Sequence, residues 1–66
     1  MAYRAVTIVG NTVTLYNKET KEDMTITVTK VNGHYYNGSF EYQVEGSDEI
    51  HSMTYKEYGS NYDVVL

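Results

Sequence analysis

Thr12-Val13-Thr14-Leu15-Tyr16-Asn17, then Lys18-Glu19-Thr20-Lys21, then Glu22-Asp23-Met24-Thr25-Ile26-Thr27-Val28: this stretch decides the fold. Apolar residues and threonines alternate on both sides of a polar break, the two-residue period of strands that bury one face. Closing Lys18 to Lys21 as a four-residue loop pairs Leu15 with Met24, Val13 with Ile26 and Thr14 with Thr25. Apolar then meets apolar and threonine meets threonine, a match that a one-residue slip would destroy. The stretch reads as a hairpin.

Upstream, Tyr3 to Val9 reads as a further strand, with Gly10-Asn11 as a two-residue type II′ turn that has glycine first. That register sets Ile8 against Val13, Val6 against Leu15 and Thr7 against Thr14. Downstream, Asn32-Gly33 and Asn37-Gly38 are two strong turns with only His34, Tyr35 and Tyr36 between them. Ser39 to Val44 alternates again, with Phe40, Tyr42 and Val44 inward and Glu41, Gln43 and Glu45 outward. Ser47 to Tyr58 fits two readings. A strand places His51, Met53 and Tyr55 on one face; a helix has Ser47 as N-cap and Gly59 as terminator. Threonine and tyrosine favour the strand. Gly59-Ser60-Asn61 then reads as a turn and Tyr62 to Leu66 as a last strand.

The expected architecture is all-β: a small antiparallel barrel or sandwich of five to six strands, SH3-like or OB-like, with a possible short helix at 48–58. The 66 residues form one small β domain, 1–66, and read as a complete gene product. So short a chain buries little surface, and without cysteine it has no disulfide to help. Self-association into a homo-oligomer is the expected remedy.

Composition narrows the function. Nine acids against five bases give a net charge of −4, which disfavours broad binding to a phosphate backbone. No apolar run is long enough for a bilayer and no leader pattern opens the chain, so no membrane partner and a cytoplasmic location are expected. The serines lie in no nucleophile motif near His34 or His51, and no enzyme is expected. Asp48, Glu49 and His51 supply too few ligands for a metal, and nothing points to a cofactor.

Charge and aromatics are uneven along the chain. Residues 34–66 carry a net −5, both histidines and six of the eight tyrosines. Tyrosine offers large contact area at low entropic cost, and acids around it steer toward a basic surface. The expected function is therefore a non-enzymatic binding protein that engages a host protein with a basic surface. Small acidic chains rich in tyrosine, asparagine and threonine suggest, by compositional analogy, a bacteriophage-encoded inhibitor or adaptor, such as an anti-defence factor, working in the host cytoplasm. The expected contact residues are His34, Tyr35 and Tyr36, then Tyr55, Tyr58 and Tyr62, rimmed by Glu41, Glu45, Asp48 and Glu49.

Two alternatives use the same aromatics. One is an oligomeric sponge for a nucleotide-like small molecule, with Arg4, Lys30 or Lys56 on its phosphates. The other is an OB-like module stacking single-stranded nucleic acid on Tyr35, Tyr36, Phe40 and Tyr42, which the acidic charge disfavours.

Overall fold

The hairpin forms with the expected register. In the computed structural model, which describes residues 3–33 and 37–65, strand β1 (Thr12–Asn17) pairs antiparallel with β2 (Glu22–Asn32). Val13 faces Ile26, Thr14 faces Thr25 and Leu15 faces Met24. On the outer side the threonines bond across the strands, Thr12 to Thr27 at 3.0 Å and Thr14 to Thr25 at 2.8 Å. The loop is held by Asn17, whose side-chain oxygen accepts from the amides of Glu19 and Thr20. Lys21 closes it in the left-handed region, at φ 63°.

Strand β3 (Ser39–Val44) follows β2, and β4 (Ile50–Thr54) follows β3. Helix α1 (Tyr55–Asn61) comes next, and β5 (Tyr62–Val64) returns to lie antiparallel beside β1. The sheet order is β4-β3-β2-β1-β5, with the last strand returning next to the first as in a Greek key. Among the described residues, five strands, one short α-helix and one 3-10 helix make up the fold. The sheet stays open, because its edge strands β4 and β5 do not pair, so the closed barrel is not formed. It is nevertheless curled. Four inter-strand gaps span about 19 Å in a flat sheet. The α1 segment that joins the two edges is only about 10 Å long at helical rise.

A bulge in β2 helps the curl. The register shifts between Val28 and Lys30, which turns Lys30 out and keeps Val31 packed against the core. Without the extra residue, strict alternation would send Lys30 inward.

Tyr3 to Val9 is not a strand. Tyr3–Val6 form a 3-10 helix, and β5 occupies the edge of β1 that this segment was expected to fill. The cause is a one-residue difference in the turn. The Asn11 amide donates to the Ile8 carbonyl, so Gly10 (φ +91°) is the second central residue, as in a type II turn, instead of the first. Turns of that hand splay the flanking segments. The segment folds under the sheet instead: Asn11 Nδ2 donates to Ala5 O, and the buried Tyr55 hydroxyl donates to Val6 O. Val6 is fully buried, whereas Ile8 and Val9 are exposed at 49% and 60%.

Ser47 to Tyr58 contains both expected elements in sequence, a strand and then the start of a helix. The helix begins seven residues later than a Ser47 cap would place it, because Thr54 is the N-cap and accepts from the Glu57 amide at 3.0 Å. Gly59 lies inside α1 and does not end it.

The core is aromatic at its centre. Phe40 packs 5.2 Å from Tyr55 and 5.9 Å edge-on from Tyr58, measured between ring centres, and Tyr3 closes over both tyrosines. Leu15, Ile26, Val28 and Met53 complete the inner wall.

Candidate functional site

Burial sorts the expected contact residues. Tyr55 and Tyr58 are core, essentially unexposed, and Tyr62 is 9% exposed. This corrects the placement of Tyr55 and Tyr58 on a contact surface: a chain with two leucines and three isoleucines fills its interior with tyrosine rings. His34, Tyr35 and Tyr36 lie outside the described residues. Glu41 sits on the outer face of β3 opposite Lys30, where Asn32 Nδ2 donates to its carboxylate at 3.4 Å. Glu45, Asp48 and Glu49 cluster in the β3–β4 connection and are exposed. Ser47 Oγ accepts from the Glu49 amide, and Gln43 Nε2 donates to Asp48 O, so this connection is pinned at both ends. The expected acidic rim is thus divided between two surfaces.

A second acidic surface, which the sequence did not single out, lies at the open end of the curled sheet. Tyr62, Asn17 and Glu22 form a row across β5, β1 and β2, followed inward by Val64, Leu15 and Met24. Asn17 Nδ2 donates to the Tyr62 hydroxyl at 3.3 Å. Beside this row is a concavity of about 350 Å³, lined by Asn17, Thr20, Glu22, Asp23, Met24 and Tyr62. Two carboxylates line it and no base does.

Along β3, Tyr42 lies two residues nearer that end than Phe40. Its ring lies under His51, stacked at 5.4 Å and 22°, and His51 Nε2 is 3.5 Å from Glu49 Oε1. Only 8% of Tyr42 is exposed. Its hydroxyl bonds no described residue, yet no buried side-chain oxygen among those residues lacks a partner. The oxygen therefore emerges at the surface while the ring stays inside. Burial raises the Tyr42 pKa above the usual 10.0, with Tyr62 and then Glu57 adding to it. Burial likewise raises Tyr62, with contributions from Glu57 and Glu19 set against the Asn17 bond. The Glu57 carboxylate thus adds to the upward shift of both hydroxyls.

Glu57 occupies the third position of α1 behind a threonine cap, where glutamate often bonds back to the cap amide. Here its carboxylate makes no hydrogen bond or ion pair with a described residue. Thr54-x-x-Glu57 was the sequence signal that could have located both the helix and this acid. The Tyr62–Asn17 contact bridges 45 positions and had no local signal.

The residues of the alternatives are dispersed. Arg4 lies in the 3-10 helix, Lys30 on the outer face of β2 and Lys56 on α1. Phe40 and Tyr42 are buried rings that cannot stack a base. Among the described residues, no helix is long and apolar enough to cross a membrane. Compared with known protein families, with characterised proteins and with solved structures, the chain matches none.

Proposed function

We propose that this protein is a non-enzymatic binding module, an inhibitor or adaptor of the phage-encoded kind, that engages a basic host protein in the cytoplasm. We take its curled five-stranded sheet as an SH3-like, partly open barrel. The observation that carries the reading is the open end, where Glu22 and Asp23 line a concavity without a base. Uncompensated carboxylates cost little in water and gain most against a cationic surface. The same lining opposes a nucleotide-like ligand, since its phosphates would meet Glu22 and Asp23. Exposed Ile8 and Val9 support self-association on a different part of the molecule.

The test compares wild type with a Glu22→Gln, Asp23→Asn double variant as baits in host lysate, with folding checked by circular dichroism. The proposal expects a basic partner retained by wild type, released by high salt and lost by the variant. Equal retention by both baits would remove the open end from the function.

A further inference from the structure

We propose that the open edge of β4 pairs antiparallel with the same edge of a second copy of this chain, forming a two-fold dimer centred on Ser52. This contact is separate from the acidic concavity and does not rest on the basic-partner reading. The β3–β4 ladder shows which backbone groups are available for it. The Tyr55 amide donates to the Gly38 carbonyl at 3.1 Å, one step beyond the Ser39–Thr54 pair. Bonded and non-bonded pairs alternate in an antiparallel ladder, so Phe40–Met53 and Tyr42–His51 are the next bonded pairs. The backbone groups of Ile50, Ser52 and Thr54 therefore point away from β3, toward the side on which β4 is the edge. The Thr54 carbonyl serves the first turn of α1, which this residue caps. The Thr54 amide and both backbone groups of Ile50 and Ser52 bond no described residue.

Centring the axis on Ser52 uses the whole of β4. Ser52 exchanges both bonds with Ser52 of the second copy, and each Thr54 amide donates to the Ile50 carbonyl of the other chain. Ile50, half exposed on the outer face, is then covered by Thr54 of the second copy. Charge favours the same arrangement. Ile50 to Thr54 includes no acid, lysine or proline, the residues that ordinarily guard an edge. Asp48 and Glu49 precede β4, and Lys56 follows it without an ion pair to a described residue. An antiparallel copy sets entry against exit, so the acids of each chain approach the lysine of the other. The opposite edge lacks these features: β5 has three residues, and pairing about its exposed Asp63 sets two carboxylates face to face. Ile8 and Val9 lie in the turn before β1 and offer no strand edge.

The test is sedimentation equilibrium of the purified chain, read beside amide hydrogen exchange. Wild type should dimerise as concentration rises, with the Ser52 and Thr54 amides protected in the dimer and exchanging fast on dilution. Ser52→Lys sets two ammonium groups across the axis at an exposed position and should weaken dimerisation at least about tenfold, with the circular dichroism spectrum kept. Ser52→Pro deletes an amide that bonds nothing within the chain and should do the same. A monomer at every concentration up to about 1 mM overturns the proposal. So does a dimer that Ser52→Lys leaves intact, or one that only Ile8→Ser with Val9→Ser dissolves. Should both Ser52 variants fail to fold, the wild-type amides decide: fast exchange of Ser52 and Thr54 within the dimer rules the pairing out.

Discussion

The two ends of the curled sheet use tyrosine in opposite ways. At the end opposite the open one, where β4 passes into α1, Tyr55 and Tyr58 sink completely against Phe40, and the Tyr55 hydroxyl is spent on the Val6 carbonyl. Nearer the open end the Tyr42 ring is almost as deeply buried, but its hydroxyl has no partner among the described residues and reaches the surface. Ring burial therefore does not separate structural tyrosines from candidate contact tyrosines. The fate of the hydroxyl does.

The sharpest way to break this comparison is at the shared centre. Phe40→Ala removes the ring that touches Tyr42, Tyr55 and Tyr58, and a large aromatic truncation costs about 3–5 kcal/mol. A domain of this size has about 3–10 kcal/mol in total. The variant should be largely unfolded by circular dichroism at 25 °C, and a cooperative urea transition near the wild-type midpoint would disprove the core assignment.

Alkali should loosen both ends together. Burial raises the pKa of Tyr42, Tyr55, Tyr58 and Tyr62 above 10.0 in the folded chain. Above that value the unfolded chain loses these protons while the folded one keeps them, so stability present below pH 10 falls as pH rises through the folded values. Urea midpoints at pH 8 and pH 11 measure this. An unchanged midpoint would mean that the rings are wet.

One chemical change applied at each end sharpens the contrast. Tyr55→Phe strands the buried Val6 carbonyl and should cost about 1–3 kcal/mol. Tyr42→Phe deletes an oxygen without a partner and should change stability by less than about 0.5 kcal/mol. Equal losses would erase the distinction between the ends. The smallest effect lies in the β1–β2 loop, where Lys21→Gly relieves a left-handed φ of 63° and should stabilise by roughly 0.5 kcal/mol in the same urea assay.

The same contrast explains what could be seen before the fold. The β1–β2 hairpin was legible because its register is local: alternation and a four-residue loop agree on every pair. The N-terminal segment was not, since a shift of one residue in the use of Gly10 turns a hairpin into a splayed turn and sends Val6 under the sheet. Strand and helix within Ser47 to Tyr58 share one stretch, and only Thr54-x-x-Glu57 marks the border. The acids of the β3–β4 connection were legible as exposed charge. The open end was illegible because α1 carries Tyr62 back beside Asn17, and no spacing along the chain announces that meeting.

The most direct test is a proton–nitrogen NMR titration of the labelled protein with hexa-arginine peptide. The account predicts that shifts concentrate on Asn17, Thr20, Glu22, Asp23 and Tyr62, which line the concavity, and leave Tyr3, Phe40 and Tyr55 in place. Shifts centred on Thr12, Thr14, Thr25 and Thr27, or spread evenly over the surface, would contradict it.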